Sequence, residues 1–158
     1  MSDKDIKAIP TIYNGTQFRS RLEAKWACFF HLCNLNYKYE SEGYTMNGVN
    51  YLPDFHLPEH KIYVEVKPSV EKMREESAAN KIIEFTKATN EMVIVFVDEP
   101  IKAKYYFYSK QWDSKEFTEC RIFWSINSKN DSQYSPLIIN ESRLLPAEIF
   151  FRASNYIF

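Results

Sequence analysis

The chain has 158 residues, 45% hydrophobic and 16% aromatic, with only three glycines and a formal net charge of −1. That length suits one domain with a sizeable core, and the composition excludes a disordered or low-complexity chain. Near-neutral charge excludes a uniformly basic surface, so any nucleic-acid-binding face must be local.

The polar start Met1-Ser-Asp-Lys-Asp-Ile-Lys7 is unlike a signal peptide, and the longest later apolar run, 92–97, is too short to span a bilayer. Cys28, Cys33 and Cys120 are an odd set without zinc-type spacing, which predicts a reducing, cytoplasmic compartment and no membrane partner. Cys28 and His31 lie one helical turn apart, but two ligands do not make a zinc site, and core packing is the expected role.

In chain order, residues 1–15 read as a mobile lead-in ending in the turn signal Asn14-Gly15. Thr16 is the expected N-cap of a helix over 17–35, whose buried stripe is Leu22, Trp26, Phe29, Phe30 and Cys33. Glu23 lies at the edge of that stripe, where an acid needs a partner, a cation or solvent. Three strands follow, over 37–45, 51–57 and 62–67, with Asn47-Gly48 and Pro58-Glu59-His60 as the turns between them. The segment 70–89 predicts a helix with an imperfect inner stripe of Met73, Ala79, Ile82, Ile83 and Phe85. Residues 92–97, Met-Val-Ile-Val-Phe-Val, read as a strand buried on both faces, ended by Asp98-Glu99-Pro100.

The order helix, three strands, helix, strand lets the last strand run parallel to the third. Beyond it, 104–109 and 120–126 read as strands and 146–156 as a terminal helix, without any Gly/Ser-rich linker. The expected organisation is therefore a lead-in over 1–15, a core over 16–100, and an elaboration of the same domain over 101–158. The stretch Lys102-Ala-Lys-Tyr-Tyr-Phe-Tyr-Ser-Lys-Gln-Trp112 interleaves bases with aromatics. Such a surface can stack unpaired bases, but a hairpin that packs one aromatic face into the core is the preferred reading.

The chemistry concentrates between Tyr51 and Pro68. Side chains alternate along a strand, so Tyr63, Glu65 and Lys67 share one face while Ile62, Val64 and Val66 share the other. If strands 51–57 and 62–67 pair as a hairpin, Asp54 and Glu65 meet near one end of the sheet. Two carboxylates that close repel unless a cation sits between them, and hard oxygen ligands select Mg²⁺ or Mn²⁺. Lys67 then faces the same pocket, able to steady charge growing on a phosphate. His56 shares a face with Asp54 by parity; His31, His56 and His60 are expected to be structural. Singly, Glu-Val-Lys is an ordinary solvent-facing strand and Pro-Asp an ordinary strand start. The weight lies in the two together, with Glu23 on a preceding helix.

The segments Phe18-Arg-Ser-Arg-Leu-Glu-Ala-Lys-Trp-Ala27, Tyr39-Glu-Ser-Glu-Gly-Tyr44, Tyr51-Leu-Pro-Asp-Phe55 and Val64-Glu-Val-Lys-Pro68 are similar to small endonuclease-like proteins of the PD-(D/E)XK superfamily. Many of these are phage-encoded, and endonuclease subunits of some transposons look alike in the same places. The resemblance spans roughly the first two-thirds of the chain and does not reach the last third. It implies an α/β restriction-endonuclease-like αβββαβ core, a mixed central sheet flanked by helices.

Residue by residue, it implies Asp54 and Glu65 as metal ligands, Lys67 as the catalytic lysine, and Glu23 as an extra acid beside the metal. The backbone carbonyl of Val66 would be a further ligand. The implied reaction is Mg²⁺-dependent phosphodiester hydrolysis, Mn²⁺ substituting, with DNA favoured over RNA. The implied setting is phage replication, recombination or genome processing in a host cytoplasm. The Gln-x-x-x-Tyr signature of some nuclease families is absent from the second helix, which argues against the processive exonuclease branch. Arg19, Arg21 and Lys25 on the first helix and Lys81 on the second are candidates to hold flanking phosphates. For each, and most of all for Lys81, a solvated helix face is the competing explanation. Because one such site serves one strand, a homodimer or a protein partner would go with double-strand cutting. A docking protein that keeps the nuclease scaffold without catalysis, and an RNA-directed nuclease, are the competing functions.

Overall fold

A computed structural model describes residues 7–108, 117–120 and 147–158, with the side chains of 147–150 left aside. The centre is a six-stranded mixed sheet built from β3 (Lys38–Tyr39), β6 (Phe55–Leu57), β7 (Ile62–Lys67), β8 (Met92–Val97), β9 (Lys104–Tyr108) and β10 (Thr118–Cys120). Its spatial order is β10-β9-β8-β7-β6-β3. Only β7 and β8 are parallel; every other neighbouring pair is antiparallel. The α/β class and the mixed sheet flanked by helices agree with the sequence expectation, and the sheet continues across residue 100 into β9 and β10.

The period-two pattern of β7 and β8 separates two cores. Val64, Val66, Ile94 and Phe96 pack with α1 (Arg21–Leu32), where Trp26, Phe29 and Phe30 are fully buried. Val93, Val95 and Val97 pack on the other face with Met73, Ile82 and Phe85 from α2 (Val70–Arg74) and α3 (Glu76–Thr89). β8 is thus apolar on both faces because helices cover both. Tyr105 to Tyr108 of β9 are all buried as well, so the aromatic run belongs to the core and offers no open stacking face. Residues 109–112 of that run lie outside the described residues. The terminal helix is α4 (Ala147–Ser154), packed on α1; Ser154 Oγ accepts from the Ile101 N–H at 2.9 Å.

Several boundaries depart from expectation. The lead-in contains a hairpin: β1 (Thr11–Tyr13) pairs with β2 (Thr16–Phe18) across Asn14-Gly15, both at positive φ. Such a two-residue turn matches the strand twist, and it takes Thr16 out of any capping role. The N-cap is Ser20, whose Oγ accepts from the Glu23 N–H at 3.1 Å. The expected strand 37–45 is two pieces, β3 in the main sheet and β4 (Tyr44–Met46), which pairs with β5 (Val49–Tyr51) in a separate hairpin. The expected strand 51–57 is likewise split, because Pro53 has no N–H to donate and restricts Leu52 before it. The chain leaves β5 at Tyr51 and enters β6 only at Phe55.

The expected helix 70–89 is broken at Glu75, which takes extended backbone (φ −54°, ψ 129°). In one straight helix, nine residues from Met73 to Ile82 amount to about two and a half turns and put them on opposite faces. The break allows both to be buried. Of the expected strand 120–126, Cys120 ends β10 and the remainder lies outside the described residues.

Candidate metal centre

The site is a row of acids at one end of the sheet. β6 and β7 pair with Phe55 opposite Val64, so continuing the register one residue sets Asp54 opposite Glu65. β3 and β6 pair with Tyr39 opposite Phe55, and the next residue, Glu40, donates its N–H to the Asp54 carbonyl at 2.9 Å. Three neighbouring strands therefore each deliver a carboxylate to one cross-strand row: Glu40, Asp54 and Glu65. Glu23 arrives from the first turn of α1. Asp54, Glu65 and Glu23 are only 3%, 8% and 8% exposed, far below what unpaired acids tolerate.

Asp54, Glu65 and Glu23 are each held by donors. Asp54 accepts from Arg19 Nη2 on Oδ1 at 3.0 Å and from the Val66 N–H on Oδ2 at 2.7 Å. Glu65 accepts from Tyr51 Oη at 2.9 Å and from Lys67 Nζ at 2.8 Å, one on each oxygen. Glu23 accepts from Ser20 Oγ at 2.9 Å and from Tyr39 Oη at 2.5 Å, and that phenol in turn accepts the Arg19 N–H at 3.0 Å. The Arg19 guanidinium also forms an ion pair with Glu40 Oε1. That oxygen is buried without a hydrogen-bond partner.

The electrostatics follow from this crowding. Burial, and then the charges of Glu65 and Glu23, push the Asp54 carboxyl well above its ordinary 3.8; the Val66 N–H and Lys67 oppose the shift without cancelling it. Burial also raises Glu40, against the pull of Arg19. Burial alone would lower Lys67, but the neighbouring Glu65 and Asp54 outweigh it and hold the ammonium charged. Burial and the same two acids drive the Tyr51 phenol upward, so it remains a donor.

One oxygen from each of Glu23, Glu40 and Asp54 lies within 4.8 Å of the others, the spread of a set able to close on one cation. All are hard carboxylate donors of the kind Mg²⁺ and Mn²⁺ prefer, and the buried Glu40 Oε1, ion-paired with Arg19 but without a hydrogen bond, keeps lone-pair capacity for a cation. The residues fit a divalent ion. Glu65 stands beside this trio, with both oxygens engaged. The Val66 contact seen is made by its N–H; its carbonyl was the sequence expectation. Glu40 is the acid that sequence reasoning missed as a ligand, although it falls within the Tyr39–Tyr44 segment singled out for its resemblance.

Glu23, Asp54 and Glu65 line a cavity of about 820 Å³ together with Arg19, Tyr51, Lys67 and Lys81. The β4–β5 hairpin and the first turns of α3 supply its walls through Tyr44, Thr45, Asn50, Ser77 and Ala78. Of the expected phosphate contacts, Arg19 and Lys81 line this cavity and Arg21 lines the one beside it. Lys25 does not. Its Nζ is 2.6 Å from Glu99 Oε2, and this bond holds the Glu99 carboxyl below its ordinary value. A charge-assisted contact of that length engages the Lys25 ammonium with Glu99. His56 stacks on Tyr63 at 4.3 Å and His31 Nδ1 is 2.8 Å from Tyr13 Oη, both structural roles as expected. Comparison of the chain with protein-family models, curated proteins and solved structures finds no match. Among the described residues no helix is long and apolar enough to cross a membrane.

Proposed function

We propose that the chain is a metal-dependent endonuclease of the PD-(D/E)XK type that hydrolyses phosphodiester bonds in DNA. The observation that carries this reading is the convergence of Asp54, Glu65 and Lys67 with Glu23 in one cavity. A purely docking surface has no use for three buried acids interacting with a half-buried lysine, which cost folding free energy. Glu23, Glu40 and Asp54 are the residues to hold a divalent ion, with Glu65 at its side. Once bound, that ion would supply Lewis-acid stabilisation of the phosphate and a lower pKa for water.

The protein's own groups do the remainder. Tyr51 and Lys67 fix the two oxygens of Glu65, and Ser20 and Tyr39 fix those of Glu23, so the acids are oriented before substrate arrives. Lys67, charged and at the cavity wall, is placed to counter negative charge developing on the phosphate. Arg19, more than half exposed, can swing from Asp54 and Glu40 to a phosphate oxygen when a cation relieves it there.

The test is cleavage of plasmid, branched DNA, single-stranded DNA and RNA, each with Mg²⁺, Mn²⁺ or EDTA. Metal-dependent cleavage of DNA is expected, with Asp54→Ala and Lys67→Ala each losing about 100-fold or more while remaining folded. Undiminished cleavage by both variants would sink the assignment. Cleavage of RNA alone would reassign the substrate, and absence of Mn²⁺ binding at millimolar concentration by calorimetry would favour the docking reading.

A further inference from the structure

A second cavity, of about 430 Å³, lies beside the acid-lined one and shares with it the walls Ala8, Glu23, Val66, Lys67 and Ala78. Ile9, Leu22 and Pro68 add apolar lining. Ile9 is 53% exposed, a large aliphatic group left open beside charge. The remainder of the lining is Ser20, Lys7, Arg21 and the Lys72–Glu75 ion pair, whose ends are 3.0 Å apart. Among the described residues, Lys7 and Arg21 have no ion-pair partner, and neither does exposed Lys81 in the first cavity. Cations without an ion-pair partner among the described residues therefore serve both cavities, while the buried acid Glu23 and Lys67 stand on the ground they share.

The sizes and chemistry discriminate between substrates. A phosphodiester chain suits the cations, each contact adding affinity without reading sequence. The second cavity is in the range of small-molecule pockets, roughly 300–1,000 Å³, and has room for one nucleotide but not for a double helix. Aliphatic side chains of Ile9, Leu22 and Pro68 are a surface against which the flat face of an unstacked base can lie. The charged rim is where the phosphate of the same nucleotide would sit.

Resting on the nuclease reading, we infer that this second cavity holds the base of an unpaired nucleotide next to the scissile phosphate. The substrate is then DNA with an unpaired nucleotide at the cut, such as a bulge, flap or single strand, in preference to continuous duplex. Near-neutral overall charge agrees with a short footprint of this kind.

The experiment uses the full chain with Ca²⁺ in place of Mg²⁺ and three DNAs of one sequence: a blunt duplex, the duplex with a one-nucleotide 2-aminopurine bulge, and the same bulge made abasic. The 2-aminopurine bulge is expected to bind about 10-fold or more tighter than either other DNA, with a change in its emission. Ile9→Ser and Arg21→Ala, both at exposed positions, should bring the three affinities within about threefold of one another and abolish the emission change, with unaltered thermal melting. Equal affinity of the wild-type protein for all three DNAs overturns the inference. If Mg²⁺-dependent cleavage of blunt duplex persists in that case, the nuclease reading stands alone. No binding and no cleavage of any of them overturns both. Tighter binding of the matched bulged RNA overturns the assignment to DNA.

Discussion

Glu40 has a backbone φ of 42°, a left-handed conformation that a non-glycine residue adopts at a cost. The strain turns the chain out of β3 directly after Tyr39, where the Glu40 N–H meets the Asp54 carbonyl and its side chain meets the acid cluster. Nothing in the local sequence distinguishes Glu40 from Glu42, two residues on; only the pairing of β3 with β6 does. Asp54 and Glu65 were legible because a short hairpin with a turn over Pro58-Glu59-His60 nearly fixes their register. Glu40→Gln keeps the shape and removes a ligand charge, and it should weaken Mn²⁺ binding about 10-fold or more in calorimetry, with little change in melting. At Asp54, the native carboxyl holds its proton more tightly than the unfolded one. Stability from this group is therefore full below pH 3.8 and lost as pH rises through the raised native value. The opposite sign applies to Glu99, whose lowered pKa gives stability above its ordinary 4.5 that is lost on acidification. Thermal melts of metal-free protein should show a loss of stability with rising pH that Asp54→Asn removes. Added Mg²⁺ should restore it in the wild type only.

At the scale of elements, α1 joins the core to the site. Its first turn presents Ser20 and Glu23 to the acids, and its middle buries Trp26, whose Nε1 donates to the Asp98 carbonyl at 3.0 Å. Asp98 in turn donates its N–H to the Lys67 carbonyl at 2.9 Å, so the helix is tied to the end of the strand that carries the lysine. Ser20→Ala removes the N-cap and one of the two donors on Glu23. It should cost about 1 kcal/mol of stability by denaturant titration, and also weaken metal binding. Trp26→Ala empties a fully buried site and should cost about 3–5 kcal/mol by the same measurement. The helical stripe through Trp26, Phe29 and Phe30 was readable from spacing alone, whereas the start of the helix was not. Thr16 and Ser20 are both acceptable caps, and the choice fell to the β1–β2 hairpin, which claims Thr16. The break at Glu75 was hidden for a related reason: Met73 and Ile82 disagree in helical phase, but the phase mismatch alone does not say where the chain turns.

Over the whole molecule, a net charge of −1 leaves long-range attraction to nucleic acid weak, so affinity must come from a few local contacts. With about three phosphates held by groups such as Arg19, Arg21 and Lys81, the logarithm of affinity for a single strand should fall against the logarithm of salt with a slope near −2. Titrations between low and physiological salt would measure it, and a slope several times steeper would require a basic surface other than this one. The sequence by itself determined the alternation of Ile62–Lys67, the doubly buried Met92–Val97 and the helical stripe of α1. Those patterns are local: period two, period 3.6, and uninterrupted apolar character are written in adjacent residues. Only the tertiary structure decided which acids stand together, that Lys25 is held by Glu99, that Tyr51 and Tyr39 clamp Glu65 and Glu23, and that the aromatic run of β9 is core. Each depends on residues far apart in the chain being brought within hydrogen-bond reach by strand register and helix packing, and neither is encoded in any single segment.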